Sequence, residues 1–234
     1  MTNPKPQARP VFRHELKYYL NEGDAYLLET RLNLTMRRDN NCGSNSGYHI
    51  RSLYFDDVYN SAMQTKLDGV DERKKYRIRI YNLSDRVIKL ECKHKKGTYI
   101  HKTACAIDRQ TADALVARDP TPLLRYDSPL AREVYQKMRT VLLAPVVIVD
   151  YVREPFVSPF QDVRITLDMD LRTGLSSTDL FDRSLPTVPA LENDETVLEI
   201  KFNDHLPEYF RTLLLSINAQ RCAISKYCIC RKYE

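Results

Sequence analysis

Charged and apolar residues alternate along several short stretches of this chain, and this alternation limits its possible folds more than any other feature. The clearest case is the lysine-rich stretch 87–104, in which apolar and charged residues alternate strictly between Ile88 and Lys93. Successive side chains of a β-strand point to opposite faces, so a period of two predicts a strand with one apolar and one polar face. Gly97 supplies a turn, after which the chain is predicted to return as the second strand of a hairpin.

The same period recurs in segments that are separated by helical patterns. Further strands are predicted at residues 12–20, 48–55, 73–81, 146–153, 163–168, 196–202 and 224–231. Helices are predicted at residues 22–36, 60–66, 106–117, 128–143 and 206–217, and Asn21, Asp108 and Ser128 are the expected N-caps. The stretch 173–192 is predicted to be a loop. The mixture predicts an α+β fold in which helices cover the apolar face of a sheet.

The overall composition limits the class of protein. We expect 234 residues to form a flexible tail at 1–10 and a single domain at 11–234. No apolar run reaches the roughly 20 residues of a membrane helix, and no signal-peptide pattern opens the chain, so we expect a cytoplasmic protein. The net charge of +5 is too small and too dispersed to indicate nucleic-acid binding. Six cysteines without a CxxC pair are expected to be reduced.

The polar faces of the predicted strands are unusual because basic residues dominate them. A solvated sheet face is the ordinary interpretation of any one such strand, but a closed or deeply concave sheet would bring all of these cations together. Buried like charges are costly unless an anion or carboxylates neutralise them. The pattern therefore predicts a pocket for several phosphates in a row. Its basic residues are Lys17, Arg77, Arg79, Lys89, Lys93, Lys95, Lys102, Arg164, Lys201 and Lys226.

Acidic residues interrupt these basic faces at regular places. Glu199 precedes Lys201 by two residues, and Glu91 precedes Lys93 in the same way. Mg²⁺ and Mn²⁺ prefer carboxylate oxygens, so both acids are candidate metal ligands, Glu199 above Glu91. Neither a P-loop nor a GxGxxG motif is present, so side chains must hold any phosphates.

A series of short motifs resembles the VTC domain, the polyphosphate polymerase branch of the CYTH-like triphosphate tunnel metalloenzyme superfamily. The resemblance extends over nearly the whole chain, and the joint order of the motifs is more specific than any one of them. In order they are RHELKY (13–18), SLYFD (52–56), YRIRIY (76–81), LECK (90–93), YVR (151–153), RITLD (164–168), LEIK (198–201) and SKY (225–227).

This resemblance implies a closed eight-stranded antiparallel β tunnel with helices packed outside. It further implies that the tunnel binds ATP with a divalent cation, Mn²⁺ or Mg²⁺, and passes the γ-phosphoryl group to a growing polyphosphate chain, releasing ADP. Pyrophosphate or polyphosphate would act as acceptor. Catalytic contacts to phosphate are implied for Arg77, Arg79, Lys93, Arg153 and Arg164, ligand binding for Lys17, Lys102, Lys201 and Lys226, and metal binding for Glu199.

The sequence also departs from the wider superfamily. Arg13 replaces the first acid of the ExExK motif that many tunnel hydrolases carry, which favours transfer over hydrolysis. The SPX domain and membrane spans of the eukaryotic polymerases are not found in this sequence, so a separate membrane subunit would be needed for any coupling to a membrane. Two alternatives remain open: an inorganic or nucleoside triphosphatase of the same fold, and a non-catalytic polyphosphate-binding module.

Overall fold

A computed structural model describes residues 14–42, 47–97, 99–159, 162–192, 195–203, 205–215, 217 and 219–232. The tail expected at residues 1–10 lies outside these ranges. The strands are β1 (His14–Leu20), β2 (Arg37–Arg38), β3 (Tyr48–Asp56), β4 (Glu72–Tyr81), β5 (Ser84–Lys96), β6 (Tyr99–Ala106), β7 (Ala144–Val157), β8 (Val163–Thr173), β9 (Val188–Pro189), β10 (Thr196–Phe202) and β11 (Gln220–Arg221). The helices are α1 (Glu22–Thr35), α2 (Ser61–Leu67), α3 (Arg109–Val116), α4 (Pro129–Thr140), α5 (Glu208–Leu215) and α6 (Lys226–Cys230).

The strands form one antiparallel sheet, which confirms the predicted α+β class. Within the described residues its order is β11-β1-β10-β8-β7-β3-β4-β5-β6, while β2 pairs with β7 and β9 pairs with β8. Eight of these strands are seven to fourteen residues long, and β2, β9 and β11 have two residues each. The predicted hairpin is the β5–β6 pair, in which Lys93 lies opposite Lys102.

The prediction of a closed barrel is wrong, because the sheet is open. Its edges are β11 and β6, and no described residue of β6 pairs with β1. Tyr18 and Tyr19 of β1 pair instead with Arg221 and Gln220, and the Cys222 N–H donates to the Lys17 carbonyl at 2.9 Å. The chain before α6 therefore occupies the edge of β1 that a closing strand would need.

Two helix-covered clusters bury the outer face of the sheet. Where α3 and α4 pack on the sheet, Ile78 of β4, Leu90 of β5 and Val134 of α4 are fully buried. Leu28 of α1 and Phe210 of α5 belong to a second cluster, which packs against β1, β8 and β10. The predicted N-caps are confirmed, because the side chains of Asn21, Asp108 and Ser128 accept hydrogen bonds from N–H groups in the first turns of α1, α3 and α4. No helix in the described ranges has the length and apolar character needed to cross a membrane.

The strand predicted at residues 224–231 is also wrong, since Lys226–Cys230 is the helix α6. Ser225 is its N-cap and accepts a hydrogen bond from the Cys228 N–H at 3.4 Å. Helix α6 packs on the inner face of the sheet, where Tyr227 joins a third buried cluster with Val147 and Val149. In so short a segment the spacing of apolar residues fits a strand or a helix. The surface against which the segment packs therefore decides between the two.

Candidate functional site

The inner face of the curved sheet encloses a cavity of about 1490 Å³, which we call the basic cavity. Among the described residues its lining contains two acidic side chains, Glu15 and Glu199, and fifteen basic ones. The basic residues are Lys17, Lys66, Arg73, Lys75, Arg77, Arg79, Lys89, Lys93, Lys95, Lys102, Arg153, Arg164, Lys201, Arg221 and Lys226. All of the residues predicted from sequence to bind phosphate therefore face one cavity.

The position of Arg77 and Arg79 follows from the alternation in β4. Ile78 and Ile80 point to the opposite face and are buried in the cluster under α3 and α4. Burial of this apolar face leaves every second residue of the strand directed into the cavity. The same reasoning applies to β5, where Lys89, Lys93 and Lys95 line the cavity.

Glu91 is the buried counter-ion of this part of the cavity. Its Oε2 lies 2.7 Å from Arg77 Nη2 and 4.0 Å from Arg79 Nη1, and its carboxylate also pairs with Lys102. Although burial alone would raise it, the pKa of Glu91 is lowered to about 2 by these cations. The side chain is 1% exposed and lies beneath the cations rather than among the cavity-lining groups. Its predicted role as a metal ligand stays a prediction, and its contacts are those of a counter-ion.

Hydroxyl groups orient the two arginines further. Arg77 Nη1 donates to the Tyr54 hydroxyl at 2.7 Å. Arg79 donates to Ser52 Oγ at 3.1 Å and to the Tyr151 hydroxyl at 2.9 Å. These partners were not among the predicted site residues. The alternation of β3 contains the signal for Ser52 and Tyr54, which share a strand face, but a hydroxyl side chain is not by itself diagnostic of a site.

Glu199 and Glu15 form a second charged group on the neighbouring strands β10 and β1. Glu199 Oε1 lies 2.5 Å from Lys201 Nζ, and both Glu15 oxygens accept hydrogen bonds from Lys93 Nζ at 2.9 Å. Lys17 Nζ lies between the two acids, 3.1 Å from Glu15 and 4.0 Å from Glu199. Although burial opposes ionisation of Glu199, the lysines hold its pKa well below the usual range. Burial and Glu199 oppose ionisation of Glu15, but Lys93 and Lys17 lower its pKa, so both carboxylates are ionised at neutral pH.

This pair of carboxylates fits a divalent cation that arrives with phosphates. Mg²⁺ is usually held by one or two carboxylates together with water and substrate phosphate oxygens. Glu199, a predicted ligand, and Glu15, which was not assigned, supply that number of groups inside the cavity. In the described part of the chain, no group of three or more His, Cys, Asp or Glu side chains is placed to hold a metal by itself.

Asp168 anchors the third charged group. Arg153 binds it through two hydrogen bonds, from Nε at 2.6 Å and from Nη2 at 2.7 Å, and Lys226 Nζ lies 2.6 Å away. Asp168 is fully buried, so both cations are held firmly while their outer surfaces face the cavity. Arg164 pairs with Asp39 at 2.9 Å. The predicted residues Arg153, Arg164 and Lys226 thus have fixed positions in the wall.

Comparisons with known proteins give the family of the chain and related folds. A family model described as "VTC domain" matches residues 12–233. No curated protein sequence is significantly similar to the chain. A Bacillus halodurans protein, provisionally described as an adenylate cyclase, has a similar fold at 13% identity and a TM-score of 0.53, over 91% of this chain and 95% of that one. A Vibrio parahaemolyticus protein of the same provisional description is similar at 12% identity and a TM-score of 0.51, over 94% and 98%. Since the family model spans nearly the whole chain, the protein belongs to the VTC domain family.

Proposed function

We propose that the protein is a polyphosphate polymerase that transfers the γ-phosphoryl group of ATP to the end of an inorganic polyphosphate chain and releases ADP. The observation that carries the proposal is the large excess of basic over acidic side chains around one cavity. Membership of the VTC family supports the same activity. A triphosphate or polyphosphate is the ligand whose charge such a wall matches.

To catalyse phosphoryl transfer, a protein mainly has to position the reactants and stabilise the negative charge of the transition state. Arg77 and Arg79 are held in place by Glu91 and by hydroxyl groups, and their remaining N–H groups are available to phosphate oxygens. Arg153 is held in the same way by Asp168. A terminal phosphate of the acceptor is already anionic at neutral pH, so attack on the γ-phosphorus requires no protein base. Lys93, Lys102 and Lys201 would balance the charge of the two aligned reactants.

Glu199 and Glu15 would hold Mn²⁺ or Mg²⁺ against the phosphates of ATP. When bound, the cation would neutralise negative charge on the phosphates. Lys17 and Lys201 compete with the metal for the same carboxylates, so metal binding is expected to be weak until the nucleotide adds its own oxygens.

The decisive experiment incubates the purified protein with ATP and Mn²⁺, with and without pyrophosphate, and analyses the products. We expect a polyphosphate ladder on a staining gel and ADP in stoichiometric amount. Arg79→Ala and Glu199→Ala are expected to abolish the ladder, while Arg132→Ala, which changes an exposed arginine on α4, leaves it unchanged.

Other products would point to other activities. ADP and free phosphate without a ladder would identify a triphosphatase. Cyclic AMP and pyrophosphate would identify the activity that the descriptions of the two structural neighbours name. Tight polyphosphate binding without any product would identify a non-catalytic binding module. Each of these three results would overturn the proposal.

A further inference from the structure

One buried hydroxyl beside the basic cavity, that of Thr166, has no hydrogen-bond partner among the described residues. Thr166 belongs to β8 and shares a face of the sheet with Arg164 and Asp168, which lie two positions away on either side. Its side chain is nearly inaccessible, since the residue is 2% exposed. A buried hydroxyl without a partner costs free energy, so its presence at this position calls for an explanation.

The neighbour of Thr166 on the adjacent strand β10 is Glu199. The two residues lie directly opposite each other in the antiparallel register, so their side chains point to the same side of the sheet. The Cβ atoms of such a pair are about 5 Å apart, so a hydroxyl on one residue can reach a carboxylate on the other. On the other side of Thr166 lies Pro155 of β7, whose side chain offers neither a donor nor an acceptor. Glu199 is therefore the cross-strand neighbour whose side chain can accept a hydrogen bond from Thr166.

A lysine holds the Glu199 carboxylate in its present orientation. Its Oε1 lies 2.5 Å from Lys201 Nζ. Within the described part of the chain, the cations nearest to Oε2 are Arg153 at 3.9 Å and Lys17 at 4.0 Å. An ionised carboxylate can accept about four hydrogen bonds, so this single close contact leaves most of its acceptor positions unused. A divalent cation on Glu199 would repel the Lys201 ammonium, and the carboxylate would then lose the contact that orients it.

We propose that Thr166 is a positioning residue for the metal-binding carboxylate: its hydroxyl donates a hydrogen bond to Glu199 when that carboxylate exchanges Lys201 for a divalent cation. The hydrogen bond fixes the carboxylate in place of the lysine and also satisfies the buried hydroxyl. Partners of this kind orient the ligating carboxylates of metal sites in general. Because Thr166 gains its partner only with the metal, its contribution appears in metal affinity. The inference rests on the metal-binding role of Glu199 in the proposed function, and it does not require phosphoryl transfer.

Binding of Mn²⁺ to the purified protein tests the role of Thr166 without turnover. The electron paramagnetic resonance signal of free Mn²⁺ gives the Kd of each variant. Thr166→Val keeps the shape of the side chain and removes the hydroxyl, so we expect its Kd to rise about tenfold or more. Thr166→Ser keeps the hydroxyl and should bind Mn²⁺ about as tightly as the wild type. Glu199→Gln removes the charge that Thr166 is proposed to orient, and its Kd should rise at least as much as that of Thr166→Val.

Urea denaturation of the metal-free protein separates this role from a structural one. Thr166→Val should not lower the urea midpoint, because the described residues leave the hydroxyl that it removes without a partner. Thr173→Val, on the same strand, is the matched control. The Thr173 hydroxyl donates to the Cys230 carbonyl at 3.1 Å and accepts from the Leu175 N–H at 3.0 Å. Its removal should lower the urea midpoint and leave the Kd for Mn²⁺ unchanged.

Wild-type affinity for Mn²⁺ in Thr166→Val or in Glu199→Gln would overturn the proposal, as would a wild-type protein that binds no Mn²⁺. A lower urea midpoint in Thr166→Val, or an equal loss of affinity in Thr166→Ser, would show a structural role instead. Failure of the polymerase function is distinguishable. Loss of Mn²⁺ affinity in Thr166→Val of a protein that makes no polymer would keep the positioning role and remove the activity. Polymer synthesis with wild-type Mn²⁺ affinity in Thr166→Val would keep the activity and remove the positioning role.

Discussion

At the scale of single residues, the cavity wall depends on carboxylates buried beneath the cations that they hold. Glu91 is the clearest example, because it is nearly inaccessible and contacts Arg77, Arg79 and Lys102 together. Removing one partner of a buried ion pair leaves the others unneutralised, which costs more than the pair itself contributes. The arginines and lysines that face the phosphate site are therefore held in place by acidic residues that do not face it themselves.

Glu91→Gln tests this dependence. The substitution keeps the shape and removes the charge, so we expect the free energy of unfolding in urea to fall by roughly 3 kcal/mol. The folded-state pKa of Glu91 is lowered to about 2, so its contribution is present above the unfolded-state pKa and is lost as pH falls. The difference between variant and wild type should therefore narrow between about pH 5 and pH 2. Glu72→Gln, at an exposed carboxylate, is the control and should be nearly neutral. An unchanged urea midpoint for Glu91→Gln would contradict the prediction.

The lysines of the cavity predict a pH dependence of binding. Burial, only partly offset by Glu15, lowers the pKa of Lys93 to about 8, and burial also lowers the pKa of Lys102 to about 8 despite Glu91. Both lysines are charged below this pH and lose the proton above it, whereas bound phosphate favours the charged form. We expect the Kd for long-chain polyphosphate to rise at least tenfold between pH 7 and pH 9.

The measurement is a calorimetric titration at constant ionic strength in two buffers of different ionisation enthalpy. Above pH 8, binding should be accompanied by proton uptake, which the buffer difference reveals. Affinity that is constant from pH 7 to pH 9, without proton uptake, would show that these lysines remain charged in the free protein.

At the scale of elements, helix α6 fixes one end of the cavity to the rest of the fold. Tyr227 donates a hydrogen bond to Asp56 Oδ2 at 2.5 Å, and Asp56 also accepts from the backbone N–H groups of Ala62 and Met63 at the start of α2. Arg231 Nη1 donates to the Asn60 side chain at 3.0 Å. These contacts join α6 to α2, and both helices contribute lysines to the cavity.

Tyr227→Phe should weaken the contact between α6 and α2. The buried Asp56 carboxylate loses one donor and keeps its backbone donors, so we expect a loss of about 1–2 kcal/mol in the free energy of unfolding. Tyr59→Phe changes an exposed tyrosine next to α2 and should have no measurable effect. Denaturant unfolding of both variants is the measurement, and equal stability of Tyr227→Phe and wild type would show that the hydroxyl contributes nothing.

At the scale of the whole molecule, the sheet encloses a cavity without closing its hydrogen-bond ladder. Lys93 of β5 and Glu15 of β1 meet across the gap at 2.9 Å, although their strands are not neighbours in the sheet. Side-chain pairs and the segment before α6 thus complete the wall that a closing strand pair would otherwise form. A sheet edge that is held by side-chain pairs opens more easily than one that is held by backbone hydrogen bonds to a neighbouring strand.

Hydrogen exchange of the backbone amides checks the open sheet. We expect the amides of the edge strand β6 to exchange at least about a hundredfold faster than those of the central strands β3 and β7. Because all three strands are measured in one sample, β3 serves as the internal reference. Protection of β6 equal to that of β3 would mean that the sheet closes in solution.

Much of the fold and of the cavity could be predicted from local pattern. The period of two located the inward faces of β4 and β5, and it assigned Arg77, Arg79 and Lys93 to a common wall. Helix signals located α1 to α5 for a similar reason, since caps and apolar spacing act within one turn or two. These features depend on residues close together in the chain, where a sequence pattern determines the geometry.

Only the tertiary structure decided the remaining features. The openness of the sheet depends on the pairing of β1 with β11, about 200 residues away in the chain, and neither strand carries a signal for its partner. Residues 224–231 alternate like a strand, but residues 226–230 form α6, because Tyr227 and Ile229 pack into an apolar cluster on the inner face of the sheet. Which cations of the cavity a carboxylate neutralises is likewise set by distances between strands. A carboxylate neutralises a cation through proximity in space, and alternation along one strand contains no information about the strand opposite.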